Sequence, residues 1–294
     1  MQIDCAVVAP SRVPKKSGDR IKTDRRDAIT LARLHRAGEL TAIRVPDERD
    51  EAIRDLCRAR TDAVQDQRAS RFRLKAFLLR RGYKYSGKSS WTAAHMRYLR
   101  ELVLPHAADK VVVEECLMAI SQATERIERF DAIVEEQARA WRLFPVVEAL
   151  MAMRGVQLLT ATVLVAEIGD FHRFAHPRQL MAYLGLVSSE YSSGESRYQG
   201  AITKAGNSHA RWFVVEAAQS YRLPPKVSKG LSVRQEKVPQ RIREISWKAQ
   251  VRLHGRFVRL VRRGKLMQKI QVAIARELVG FLWAVAVTVP MPQP

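Results

Sequence analysis

Between Gly185 and Ala218 the chain reads GLVSSEYSSGESRYQGAITKAGNSHARWFVVEAA, with small, hydroxylic and basic residues lying between two apolar helical patterns. Leu180, Ala182, Tyr183 and Leu184 end the first pattern, and Gly185 is placed to close it in the left-handed conformation. Asn207 or Ser208 is placed to cap the second, which resumes at Ala210 and runs to Ala218. Between them Tyr191, Ser192, Ser193 and Gly194 form a turn, followed by Arg197, Lys204, His209 and Arg211. An exposed serine beside a flexible glycine, with cations at hand for the non-bridging oxygens, suits in-line attack on a phosphodiester. The same residues also suit a Ser/Gly hairpin turn with solvated cations.

A second candidate lies in KTDRRDA, Lys22 to Ala28. A helix is predicted from Thr23 and Asp24 through Ala28, Leu31, Ala32 and Leu34 to Gly38, so Asp24 and Asp27 face the same way and could share one hard cation. The alternative is that Asp24 caps the helix and Asp27 complements its dipole. The histidines form no metal box: only His172 and His176 have paired spacing, no third ligand flanks them, and capping or packing beside Phe171 and Phe174 accounts for them. No GxxxxGK[ST] is present, so ATP is not expected.

The formal net charge of +21 and pI near 10.5 make a polyanion the first partner to consider. The cations are spread along the whole chain, which argues against a membrane-surface cluster. With 294 residues, 47% of them hydrophobic, the chain can bury a core and hold two or three modules. Cys5, Cys57 and Cys116 show no CxxC spacing and suggest a reducing compartment without structural zinc. The start Cys5 to Ala9 is too short for a signal peptide, and Leu278 to Val289 is too short to span a bilayer and reads as a buried helix.

Those sites need elements to position them. Cys5 to Ala9, ended by Pro10, fits a buried strand and leads into a basic loop with Arg12, Lys15, Lys16, Arg20 and Lys22. A long helix follows over 46–82, with Ile53, Cys57, Val64, Leu74 and Leu78 on one heptad seam that Arg60, Gln67 and Arg71 interrupt. A second spans 107–144, with Leu117, Ile120, Thr124, Ile127, Val134, Ala138 and Trp141 on a seam broken by Asp131. One is basic and the other acidic, which suggests an antiparallel hairpin or pairing between protomers. Between them Tyr83, Tyr85 and Trp91, beside Lys84, Lys88 and Arg97, could stack on nucleic acid or pack against the helices.

Met153 to Phe171 resembles a helix-hairpin-helix, with Gln157 where its second glycine usually stands; a purely structural helical hairpin is the alternative. Tyr221 to Gly230 reads as a Pro-rich linker. Two basic helices over 234–286, broken at Gly264, would carry Ile242, Ile245, Trp247, Phe257, Leu260 and Val261 inside and leave Arg241, Lys248, Arg252 and Arg259 for phosphates.

The run GDFHRF…RQLMAYLGL…EYSSG…ITKAGNSHARW…VEAA resembles the carboxy-terminal transposase domain of the IS one-ten insertion-sequence family, serine-plus-DEDD recombinases related to the Piv invertase. KTDRRDA resembles the end of that family's RuvC-like domain, and together the two blocks extend the resemblance over nearly the whole chain. The resemblance implies Ser193 as nucleophile, Asp24 and Asp27 as the last two acids of a DEDD set binding Mg²⁺, and nucleic-acid contacts from Lys22, Arg25, Arg26, Arg197, Lys204, His209 and Arg211. It implies DNA as substrate, a structured guide RNA as partner, a homo-oligomer (dimer or tetramer), and a bacterial cytoplasmic setting with nucleoid association on DNA. The family's first-strand Asp and its later Glu have no counterpart, since no acidic residue precedes Asp4. The chain therefore reads as an amino-terminally truncated member, and a non-catalytic nucleic-acid-binding remnant is the alternative function.

The expected fold class is mainly α. Residues 1–45 would be the remnant of an α/β RuvC-like (RNase H-like) domain, 46–145 a helical coiled-coil region, 146–225 the serine transposase domain with a small β-hairpin or loop, and 226–294 basic helices.

Overall fold

A computed structural model describes residues 5–10, 13–14, 23–43 and 45–290. The chain divides into two compact units, Met1–Asp50 and Glu51–Pro294. Asp4, Arg12, Lys15, Lys16, Arg20 and Lys22, singled out in the sequence, lie outside the described residues.

In the first unit the main element is α1 (Asp24–Arg36). Thr23 caps it, its hydroxyl accepting from the Arg26 N–H at 3.3 Å, while Asp24 and Asp27 occupy the negatively favoured first turn. No residue of α1 is buried. The buried strand expected over Cys5 to Ala9 is not formed: Val8 makes one isolated antiparallel bridge with Ala42, the Ile43 N–H donates to the Val7 carbonyl at 2.8 Å, and Cys5, Ala6 and Val7 are exposed. A strand of this apolar kind needs flanking strands and a helix face to bury it, and among the described residues this unit supplies neither.

The second unit is mainly helical with one hairpin. Its elements are α2 (Glu48–Arg80, beginning at the unit boundary), α3 (Ala93–Arg100), α4 (Ala107–Arg139), α5 (Phe144–Met151), α6 (Leu158–Ile168), α7 (Pro177–Tyr183), β1 (Ser188–Ser193), β2 (Ser196–Ile202), α8 (Ser208–Ala218), a 3₁₀ turn (Gln219–Arg222), α9 (Lys229–Gln235), α10 (Gln240–Arg262) and α11 (Met267–Ala286). Two residues that interrupt the heptad seams, Arg60 and Asp131, pair with one another. Arg60 donates to Asp131 at 2.8 Å and Gln67 to Thr124 at 2.7 Å, while nearer the far end Arg81 donates to Asp109 at 2.7 Å, so the partners run in opposite order along α2 and α4.

Two apolar cores result. The larger gathers Ile53 and Cys57 of α2, Val134 of α4 and the inward faces of α5 to α8, α10 and α11. At its centre every residue of α6 from Ala161 to Ile168 is buried. Each large apolar side chain so buried contributes about 1.5–3 kcal/mol. The smaller core joins Leu74 and Leu78 of α2, Leu99 of α3, and Val113 and Ile120 of α4. The aromatics between α2 and α4 pack here: Tyr83 and Trp91 lie against this core, Tyr85 meets His95 edge-on and Tyr98 at a tilt, and the Arg71 guanidinium lies 5.2 Å over Trp91.

Three sequence expectations change. Trp247 and Val261 of α10 are exposed rather than inside, because Ile242, Ala249 and Leu253 form the buried stripe and these two fall off it. The Pro-rich stretch is tied down: Tyr221 is fully buried, and Arg154 donates to the Leu223 and Pro224 carbonyls at 3.3 and 2.7 Å. Finally, α11 is an apolar core helix rather than a basic one, burying Leu278, Val279, Leu282 and Val285. No helix among the described residues is long and apolar enough to cross a membrane.

Candidate functional site

Ser193 stands at the end of β1, in an antiparallel hairpin whose register pairs Glu190 with Gln199, Tyr191 with Tyr198, Ser192 with Arg197 and Ser193 with Ser196. Gly194 and Glu195 make the connecting turn, and Gly194 has φ +56, the positive value that two-residue hairpins take at their first central position. Because side chains alternate along a strand, Glu190 and Ser192 share one face with Arg197 and Gln199, and Ser193 shares the other with Tyr191 and Tyr198. The first face is internally bonded: Ser192 Oγ donates to Glu190 Oε1 at 3.0 Å and Arg197 Nε to the same oxygen at 2.9 Å. Those bonds, Arg197 first, hold the Glu190 carboxyl below its usual range. The second face is open, with Tyr191 75% and Tyr198 67% exposed. Ser193 is exposed, and at about 3.3 Å per residue it stands roughly 15 Å beyond the hairpin's root at Ser188.

The root is rigid. Gly185 (φ +63) closes α7 with the paired bonds of a Schellman motif, its N–H to Ala182 and the Leu186 N–H to Met181, both at 2.9 Å. The segment Thr203–Asn207 then lies directly on that helix end. The Lys204 N–H donates to Gly185 at 3.1 Å, the Asn207 N–H to Tyr183 at 3.1 Å, and Arg211 Nη1 to the Leu184 carbonyl at 2.8 Å. A Cβ on Gly206 would collide with the Tyr183 carbonyl oxygen. Lys204 itself is held at φ +54, uncommon outside glycine. Of the cations expected here, Arg197 is paired to Glu190, Arg211 pins backbone carbonyls, and Lys204 is exposed.

His209 leads to a group of residues that sequence reasoning overlooked. Glu167, its side chain 1% exposed, receives Arg58 Nε on Oε1 at 2.8 Å and Arg58 Nη2 on Oε2 at 2.9 Å. Asn207 Nδ2 donates to Oε2 at 2.6 Å, and His209 Nδ1 lies 2.9 Å from Oε1. Burial alone would raise the Glu167 pKa, but the bonds from His209, Arg58 and Asn207 outweigh it and hold the carboxyl at about 2. The Asn207 amide is committed at both ends, since its oxygen caps α8 by accepting from the Ala210 N–H at 2.9 Å. His209 Nε2 lies 2.9 Å from Thr61 Oγ1, which also donates to the Cys57 carbonyl at 3.1 Å. Cys57, buried beside this carboxylate, has its thiol pushed up to about 12, chiefly by desolvation. The sequence did carry a signal: Glu167 is the only charged residue in the apolar run Leu158 to Ile168, and a carboxylate buried there requires partners.

Asp24 and Asp27 are exposed on the first turn of α1, beside exposed Arg25 and Arg26. Among the described residues no three His, Cys, Asp or Glu side chains converge as a metal site would require. His176 caps α7 by accepting from the Arg178 N–H at 3.2 Å, and His172 bonds Asp170, as the capping reading expects.

Comparison with known proteins places the chain among transposases. The model of the transposase IS116/IS110/IS902 family matches residues 147–229, and a DEDD-type IS110 transposase model matches residues 1–81. The protein belongs to this family. A putative transposase, y4qE, of Sinorhizobium fredii is 48% identical over 283 residues, covering 96% of this chain and 69% of the relative. The transposase for insertion sequence element IS1533 of Leptospira borgpetersenii is 29% identical, covering 91% of this chain and 78% of its own length. The transposase for IS1111A of Coxiella burnetii is 25% identical over 75% of this chain and 60% of its own length.

Proposed function

We propose that the protein is a DNA recombinase of an insertion sequence in which the Ser193 hydroxyl attacks a DNA phosphodiester and forms a phosphoserine bond, releasing the bridging oxygen as a strand end. The observation that carries this reading is the placement of Ser193 at an exposed hairpin tip, on the face not consumed by the Glu190–Ser192–Arg197 bonds. Family membership supplies the reaction class. A tip standing clear of the body can enter a groove of DNA, and Gly194, where even an added Cβ would meet nothing within 4 Å, leaves room for a backbone phosphate. Lys204, Arg25 and Arg26 are the exposed cations assigned to phosphates, and Lys22, Arg197, His209 and Arg211 complete the set taken from the resemblance.

Mg²⁺ is the metal the resemblance implies. Asp24 and Asp27 alone do not fit it, because two exposed carboxylates on one helical turn fall short of the ligand set a catalytic Mg²⁺ takes. A structured guide RNA, a dimer or tetramer, a RuvC-like character for residues 1–45 and the boundaries at 46–145, 146–225 and 226–294 belong to the same proposal. The helix-hairpin-helix turn favours its structural alternative, since a Cβ on Gly155 would lie 2.5 Å from the Ala217 carbonyl oxygen and Arg234 donates to Val156 at 2.5 Å.

The second reading, a nucleic-acid-binding remnant without chemistry, draws on that incomplete acidic pair. Trapping decides between them: a version supplied with the family's first-strand Asp and later Glu, incubated with DNA and Mg²⁺, is expected to yield an adduct stable to denaturant, lost in Ser193→Ala and retained in Ser192→Ala, while the chain with Asp24 and Asp27 alone binds without forming it. Salt-sensitive binding with no adduct from the completed version at any Mg²⁺ concentration would establish the remnant instead. An adduct surviving in Ser193→Ala and lost in Ser192→Ala would move the nucleophile by one residue.

A further inference from the structure

A cavity lies between α2 and the start of α8. It is open to solvent, with a volume of about 730 Å³, within the roughly 300–1,000 Å³ of ordinary ligand sites. Its floor is preorganised. His209 is engaged at both ring nitrogens, Asn207 at both ends of its amide, and Arg58 through two nitrogens on a carboxylate that solvent does not reach. Arg58 has Nη1 left over from that bidentate bond, and its side chain is 47% exposed. Arg68 lies over Phe72 at 5.4 Å and makes no ion pair among the described residues. The rim also carries Trp212, 48% exposed, which makes a T-shaped contact with its neighbour Phe213, the ring planes at 85°.

A phosphate alone would explain the arginines but not the other two features. An indole half in water at the mouth of a polar cavity contributes little to the core, yet stacking on a base gives it about 1–3 kcal/mol of binding. Asp62, also lining the cavity, can only accept hydrogen bonds; it repels a bare anion and suits the exocyclic amine of a base. Cations, a half-exposed aromatic and an acidic acceptor together match a nucleotide with its base unstacked and unpaired.

We propose that this cavity binds one unpaired nucleotide of a single-stranded nucleic acid, its phosphate against Arg58 and Arg68 and its base against Trp212. The inference rests on the reading of the chain as a nucleic-acid enzyme, and not on which serine is the nucleophile. Paired and stacked nucleotides cannot enter, so the site discriminates single strand from duplex where dispersed surface cations would not.

The test is tryptophan emission during titration with short oligodeoxycytidylate, with oligocytidylate as the RNA arm and a duplex of the deoxy strand as control. Either single strand is expected to quench emission, the stronger identifying which strand the site takes, and Trp212→Phe is expected to remove that quench. Trp212→Ala and Arg68→Ala, both at exposed positions, should weaken single-strand binding by about tenfold and duplex binding by far less. Unchanged quenching in Trp212→Phe, or equal effects on duplex and single strand, would overturn the assignment. Ser193→Ala is expected to leave the quench intact. A completed version that quenches but gives no covalent adduct would therefore lose the serine reading alone, and one that gives the adduct without a Trp212-dependent quench would lose the cavity assignment alone.

Discussion

The Ser193 hairpin and the Glu167 node hang on the same short segment, Thr203 to His209, yet opposite physics builds them. In the hairpin almost every side chain faces water and the bonds among Glu190, Ser192 and Arg197 are screened, so they orient groups while adding little stability. At the node one carboxylate has left water, and four hydrogen bonds from three side chains replace its hydration. The lesson is that exposure at the hairpin costs the fold almost nothing, which frees it to vary its tip, whereas the node is fixed in every atom. A reactive group belongs on the first kind of structure and a receptor on the second.

The comparison breaks most sharply at Glu167. Glu167→Ala should destabilise the protein by about 3 kcal/mol, less than the loss of a fully enclosed pair because Arg58 can still reach water; thermal unfolding measures it. The pH dependence has a definite sign. The folded carboxyl sits at about 2, below its ordinary 4.5, so the node's contribution is fully present above pH 4.5 and drains away as pH falls toward 2. Acid titration of the wild type should show that loss over this window, and Glu167→Gln should flatten it. A wild type and a variant with parallel acid profiles would mean the node is not ionised as described.

Next come the two glycines at either end of the hairpin. Gly206→Ala meets the Tyr183 carbonyl and an unfavourable φ of +81 together, and should cost about 2–3 kcal/mol by chemical denaturation. Gly194→Ala has open space and only the backbone strain of φ +56, and should cost about 1 kcal/mol. Reversal of that order would show the tip, not the root, to be the constrained end. Smallest of all, Ser193→Ala and Tyr191→Ala should each change stability by less than about 0.5 kcal/mol, so that any loss of adduct or of DNA binding in them reports on function and not on folding.

Much of this architecture was legible because local signals and tertiary demands agree. Gly185 closes α7, Asn207 caps α8, Gly82 and Gly264 follow α2 and α10, and the heptad interruptions Arg60 and Asp131 turn out to be each other's partners. Cys5 to Ala9 misled because an apolar run specifies burial without supplying anything to be buried against. Trp247 and Val261 misled because hydrophobicity was read without helical phase. The node escaped for a different reason: Arg58, Glu167 and His209 come from three helices far apart in sequence, and no spacing rule connects residues that only the closed core brings within bonding distance.

One helix serves both cores. Ile53 and Cys57 of α2 are anchored in the larger, Leu74 and Leu78 in the smaller, and Arg58, Thr61 and Arg68 lie between them on the cavity wall. With 33 residues it is a rod of about 50 Å, so one unbroken ladder of backbone hydrogen bonds ties the cavity wall to the outer end, where Phe72 and Leu79 are exposed.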